Sequence, residues 1–155
     1  MAAAASDFRI EQVDPEVHGA TFLGFYERSP EDATPHPEAV LDEGQGSLWL
    51  AYNGDRAVGG ILTREQRSTD GELRGFLDNV IVDRDWRGRG LGRLLLEHVE
   101  AHFRERGLFG MQAGGNPANP ISIPLFERLG FHAVHRYTRT RNGVKEPRIR
   151  MWKDF

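Results

Sequence analysis

A chain of 155 residues, 39% hydrophobic and 28% charged, has the size and composition of one globular domain with a sizeable core. Its formal net charge of −3 gives no global attraction to nucleic acid or to an anionic membrane, and no apolar run reaches the length that spans a bilayer. The absence of cysteine excludes thiol nucleophiles, disulfide frameworks and thiolate metal sites.

In chain order, residues 1–6 form an alanine-rich stretch without the basic start or apolar length of a secretion signal. They read as a disordered tail ahead of a single domain over 7–155, in a cytoplasmic protein. Phe8 to Val13 alternates as a strand does. Pro15, followed by Val17, Ala20, Phe22, Leu23, Phe25 and Tyr26, predicts a first helix. Ser29 to Gly46 is a long polar connection carrying Pro30, Pro35 and Pro37, with room for a short helix near Glu38 to Asp42. From Glu27 to Glu43 the carboxylates Glu27, Glu31, Asp32, Glu38, Asp42 and Glu43 are opposed only by Arg28. That is a solvated negative face or, beside a site, an attraction for a cation. Ser47 to Tyr52 and Ala57 to Arg64, joined by Asn53-Gly54-Asp55, have the pattern of a hairpin.

Glu72 to Val82 is a long strand ending in Val80-Ile81-Val82. It passes through a polar turn with Arg84, Arg87 and Arg89 into a helix over about Gly90 to Arg106, whose Leu91, Leu94, Leu95, Val99 and Phe103 recur at helical spacing. The turn holds Gly88, Gly90 and Gly92 at alternate positions. Glycines at a strand-to-helix turn let the backbone approach a ligand, and a helix N-terminus offers free N–H groups to an anion. Together with the arginines this predicts a phosphate or pyrophosphate site; the plainer alternative is a basic surface turn with glycines for geometry. It is neither a Rossmann fingerprint, since Arg93 stands at the third glycine position, nor a Walker A loop. After the helix stops at Gly107, Leu108 to Ala113 is a strand. Asn119 to Phe131 is a short helix with Asn119 or Ser122 as N-cap and Gly130 at its end. His132 to Thr140 and Lys145 to Trp152 form a final hairpin about Arg141-Asn142-Gly143.

Two segments carry a family resemblance. Arg87-x-x-Gly90-x-Gly92, directly after the strand, resembles the R/Q-x-x-G-x-G/A acyl-CoA loop of the GNAT acetyltransferase superfamily. Asn119 to Phe131 resembles its N-x-x-A-x-x-L-Y-E-x-L-G-F segment, with Ser122 at the alanine and Phe126 at the tyrosine. The resemblance implies an α/β (α+β) fold with a mixed, mostly antiparallel sheet of about seven strands flanked by about four helices. In that fold the strands ending at Val82 and near Ala113 run parallel and splay, and the pantetheine arm of acetyl-CoA enters between them. It further implies that Gly88, Arg89, Gly90, Leu91, Gly92 and Arg93, with Arg87, hold the pyrophosphate. Val80, Ile81 and Val82 offer backbone bonds to the cofactor, and Asn119, Ser122, Leu125 and Phe126 line its other side.

The implied activity is transfer of acetyl from acetyl-CoA to a primary amine, on a small molecule or a protein, directly in a ternary complex; a catalytically silent acyl-CoA-binding module is the alternative. Asp78 is the candidate base, acting through water, with Glu72 and the N-terminal acids also open. Phe126 cannot donate a proton, but a thiol with a pKa of about 8.5 leaves as thiolate with little help. His98 and His102, four apart, lack a third ligand and a His-Glu pair, and read as a solvent-exposed pair with no metal. No nucleic-acid or membrane partner is expected, and a homodimer is compatible with the sequence.

Overall fold

The computed structural model describes residues 7–29 and 46–155. One seven-stranded sheet runs through them in the order β1-β2-β3-β4-β5-β7-β6. The strands are β1 (Phe8–Val13), β2 (Gly46–Asn53), β3 (Arg56–Arg67), β4 (Leu73–Val82), β5 (Gly110–Gly115), β6 (His132–Arg141) and β7 (Val144–Asp154). Every pairing is antiparallel except β4 with β5. The described helices are α1 (Pro15–Glu27), α2 (Leu91–Glu105) and α3 (Ser122–Arg128), with a 3-10 turn at Arg84–Trp86. The seven-stranded, mostly antiparallel sheet and the parallel placement of β4 beside β5 agree with the expectation. The helices number three among the described residues rather than about four, and the short helix expected near Glu38 to Asp42 lies outside them, as do all but Glu27 of the acidic residues noted there.

β2 is covered on both faces, which is why it reads as a continuous apolar run. Leu48 and Leu50 face α1, where Phe22 and Phe25 complete a cluster with Leu62 and Ile81. Trp49 and Ala51 face α2, among Leu91, Leu95, Val99 and Phe103. α1 starts where Asp14 accepts from the Glu16 N–H at 2.9 Å and Pro15 takes the first turn. Its Val17, expected on the apolar face, points outward and is 69% exposed. The helix buries a narrow stripe, so its apolar residues outnumber its contacts. α2 packs against β4 through Gly75, where a Cβ would come within 2.8 Å of Phe103 Cζ, so any side chain there displaces the helix. It ends at Gly107, at φ +78°, with the Leu108 N–H donating to the Phe103 carbonyl. In the β6–β7 turn Asn142 and Gly143 both have positive φ, as an Asn-Gly hairpin requires.

β4 carries the irregularity that matters. Leu62 pairs Asn79 and Thr63 pairs Leu77, so Asp78 is an extra residue, a β-bulge. The bulge reverses the alternation: Leu77 faces α2 and Ile81 faces α1, although they are four residues apart. β4 and β5 pair only at Gly75–Met111 and Phe76–Gln112. Beyond those two rungs β4 continues to Val82 and β5 to Gly115 without each other, leaving a wedge-shaped opening.

A charged node closes the end of β4. Asp83, 1% exposed, accepts two bonds from Arg28, at 2.8 and 3.1 Å, and lies 3.7 Å from Arg56. Its Oδ2 has no hydrogen bond. A buried carboxylate stripped of a partner keeps its desolvation cost. Arg28→Met should therefore lower stability by about 1–3 kcal/mol in urea titration; an unchanged midpoint would mean that Arg56 and water replace Arg28 fully.

His98 is exposed, as expected, and His102 is half-buried, but the two rings share a partner. Both rings stand edge-on to Trp49, at 5.4 and 4.8 Å. Burial, then the neighbouring His102, lower the pKa of His98 below its ordinary 6.5, against Glu105. The unfolded chain thus binds this proton at higher pH than the native state. The contribution is complete above pH 6.5 and is lost as pH falls through the native value. The melting temperature of His98→Gln should drop less between pH 7.5 and 5 than that of the wild type; parallel curves would remove His98 from the acid sensitivity.

Candidate functional site

The turn between β4 and α2 is built on glycine conformation. Gly88 and Gly90 have φ of +79° and +78°, where other residues are strained, and a Cβ on either would meet nothing within 4 Å. Gly90 is the N-cap of α2 and offers no side chain, so no cap bond forms. The first intrahelical bond runs from Leu94 to the Gly90 carbonyl. The N–H groups of Leu91, Gly92 and Arg93 accordingly have no carbonyl a turn behind them. Open space in front of uncapped N–H groups at the positive end of a 15-residue helix fits an anion.

The arginines of the turn divide their work. Arg87 folds back, its Nε donating to the Val82 carbonyl at 3.1 Å and its Nη2 to the buried Ser29 hydroxyl at 3.2 Å. It anchors the turn to the end of α1. Arg89 lies over the Trp86 ring at 4.5 Å. Arg93 pairs with Glu97 one turn along α2, at 2.6 Å.

The register fixes which backbone groups face the opening. The Asp83 N–H donates to Val58 at 2.8 Å, so Asp83, Ile81 and Asn79 bond toward β3. Val80 and Val82 aim their N–H and C=O groups the other way, into the wedge. Ile81 sits between them with its backbone turned to β3 and its side chain under α1.

Asp78, at the bulge, is held bidentately by Arg64, Oδ2 to Nε at 2.6 Å and Oδ1 to Nη2 at 3.0 Å. Arg64 in turn lies 4.8 Å over Phe76. The lone pairs left on Asp78 can still accept from a water or an ammonium. Arg64 escaped the sequence reading. Its place was legible only once the hairpin register was known, because it stands 14 residues away on the neighbouring strand.

On the far side of the wedge, Asn119 rather than Ser122 caps α3. Its Oδ1 accepts from the N–H groups of Ile121 and Ser122 at 2.9 and 3.0 Å. Leu125 reaches toward the start of α2, with its Cδ2 3.5 Å from where a Cβ on Gly92 would be. Phe126 is 3% exposed and packs on Phe131, ring centroids 5.4 Å apart. The structure thus brings the glycine turn, Val80, Val82 and Leu125 around one opening and sets Phe126 in the adjoining core. Among the described residues no three His, Asp or Glu side chains gather to hold a metal, and no helix is long and apolar enough to cross a membrane.

Comparison with known proteins agrees with this geometry. Residues 14–131 match the acetyltransferase (GNAT) family. The [ribosomal protein bS18]-alanine N-acetyltransferase of Escherichia coli is 39% identical over 121 residues, 74% of this chain and 78% of that one. Its namesake from Salmonella typhimurium is 41% identical over 56 residues, 36% of this chain and only 38% of its own length. Among solved structures, Arabidopsis thaliana Naa50 in complex with the bisubstrate analogue CoA-Ac-MVNAL superposes with a TM-score of 0.78 at 18% identity, over 96% of this chain and 99% of that one.

Proposed function

The chain belongs to the acetyltransferase (GNAT) family and is an acetyl-CoA-dependent N-acetyltransferase, and we propose that its acceptor is the α-amino group of a protein or peptide. The observation that carries the proposal is the engagement of Asp78 with Arg64. A site whose nearest carboxylate is short and already holds a guanidinium suits an amine that sheds its proton readily. At pH 7 roughly one α-amine in ten is neutral, against about one lysine side chain in 2,500. The bS18-alanine N-acetyltransferases among the relatives act, by their name, on such an amine.

Acetyl-CoA supplies an acyl group activated as a thioester. In this reading the N–H groups of Gly88 to Arg93 hold its pyrophosphate, with Arg87 and Arg89 fixing the turn. Val80 and Val82 orient the pantetheine arm by their backbone groups, Ile81 pins that strand to β3, and Asn119, Ser122 and Leu125 form the opposite wall, with Phe126 buried behind it. Asp78 orders a water that takes the proton from the incoming ammonium. The neutral nitrogen then bonds to the acetyl carbon, the carbon–sulfur bond breaks, the sulfur departs as thiolate, and the nitrogen gives its second proton to that thiolate or to solvent, leaving the amide. Residues 7–155 act as one domain, and the protein works in the cytoplasm.

Two measurements test this. Acetyl-CoA should raise the melting temperature of the wild type and not of Gly90→Asp, which puts a negative charge against the pyrophosphate. Gly90→Asn, similar in shape but neutral, should keep part of the shift, and equal shifts in all three would refute the loop assignment. Asp78→Asn should lower kcat about 10²-fold or more with acetyl-CoA affinity kept. Unchanged turnover would leave Asp78 a bulge residue only. Thiol release with acetyl-CoA and an amine panel separates the enzyme from a silent binding module.

A further inference from the structure

The side of the sheet on which α1 packs extends past that helix onto β5, β7 and β6, and its charge is one-sided. Alternation assigns the faces. Ile149 and Met151 belong to the α2 cluster, so Arg148 and Arg150 of β7 point to the α1 side. Their partners in register on β6 are Tyr137 and His135, which share that side. Arg64 and Asp78 are there too, because Arg64 stands opposite Phe76, one residue from the inward Leu77. The group is organised: His135 stacks on Tyr137 at 5.5 Å and 11°, and Arg150 lies over the Tyr137 ring at 5.6 Å. Asp78 is neutralised by Arg64. Among the described residues no carboxylate lies within ion-pair distance of Arg148 or Arg150, and the Arg148 Nε is buried without a hydrogen-bond partner. From His132 to Asp154 the chain has seven Lys or Arg against two carboxylates, in a protein of net charge −3.

From these observations we infer that the acceptor is an amino-terminal segment carrying carboxylates just after its first residue, and that Arg148 and Arg150 bind them. This rests on the protein-acceptor reading above. Spacing supports it. From Asp78 on β4 to Arg150 on β7 is two strand spacings widened by the wedge, at least roughly 10 Å, three or more residues of extended chain. An amine seated at Asp78 would bring the carboxylates of its next few residues over Arg148 and Arg150, with the His135–Tyr137 stack as a flat apolar floor. A guanidinium pair matches carboxylates in geometry as well as sign. The charge of this face therefore favours an anionic chain, opposite to the cationic acceptor that the acidic stretch from Glu27 to Glu43 suggests.

The test is a panel of peptides sharing one amino-terminal residue, with acidic, neutral or basic residues at positions two to five, assayed by thiol release at low and high salt. The acidic peptides should show kcat/KM about tenfold or more above the basic ones at low salt, and the ratio should shrink as salt screens the face. Arg148→Glu with Arg150→Glu should invert the order while acetyl-CoA still raises the melting temperature, which shows the variant folded. Arg136→Glu reverses one charge on the neighbouring strand β6, but Arg136 stands opposite Ile149 on the α2 side, and the preference should stay. Equal rates across the panel, or a preference that Arg136→Glu alters as much as the double variant, would overturn the inference. An oligonucleotide that binds the wild type and not the double variant, without any acidic-peptide preference, would overturn it in favour of nucleic acid. If small amines react and no peptide does, the protein-acceptor reading itself fails.

Discussion

The bulge at Asp78 is the constraint on which the rest of the site depends. A strand that alternated regularly through this point would place Leu77 and Ile81 on one side; here they serve opposite cores. The extra residue turns the second half of β4 about its axis, and the parallel ladder to β5 stops after two rungs. Ending a ladder inside a sheet leaves polar backbone groups facing a gap, a cost that a fold without a ligand would avoid. Val80 and Val82 face that gap, and the Val82 carbonyl is already met by Arg87. The same bulge brings the Asp78 carboxylate onto the α1 side beside Arg64. The wedge beside β4 and the placement of Asp78 beside Arg64 are thus consequences of one inserted residue.

The second requirement is that an uncapped helix end be held still. A helix N-terminus capped by glycine loses roughly a few tenths of a kcal/mol relative to a good cap, and two glycines with positive φ add backbone freedom in the unfolded chain. The surroundings compensate by fixing the turn from outside. Arg87 ties it to Ser29, Arg28 ties the strand end at Asp83 to the same corner of α1, and Trp86 is gripped by Phe8 and Arg89. Every one of these contacts is made by a side chain, leaving the backbone N–H groups of Leu91 to Arg93 for a ligand. Such pre-organisation reduces the entropy lost when an anion binds.

What was legible in the sequence follows from how local each signal is. The Asn-Gly turn, the stop at Gly107 and the glycine turn before Leu91 are decided within a few residues, and they stand where expected. The family resemblance added the parallel, splayed pair of β4 and β5 that no local pattern carries. The partners of Asp78 and Asp83 were not legible, since Arg64 and Arg28 meet them only through register and helix packing, 14 and 55 residues away. His98 and His102 looked free because helical spacing shows which face they share but not that Trp49 lies beneath it. The charge of the last hairpin could have been read: Arg148 and Arg150, two apart in a strand, must share a face. Net charge concealed it, averaging that hairpin with an acidic remainder.

Phe126 brings these threads together. A tyrosine at this position would place a proton donor beside the departing sulfur; here the ring is buried against Phe131 and offers none. The thiol leaving group ionises at a pKa of about 8.5, so at neutral pH its departure as thiolate costs little. The harder proton is the one on the acceptor nitrogen, which must be lost before attack. A chain that dispenses with the acid and ties its nearest carboxylate to Arg64 has its chemistry limited at the amine, and it works best with an amine that is already partly neutral. Cations beside the acceptor act in the same direction. Arg148 and Arg150 on the α1 side raise the potential felt by an ammonium and favour its neutral form, while attracting any carboxylates that follow it in the chain. A positive face that attracted an acidic segment, as proposed above, would therefore also ease deprotonation of its amino terminus.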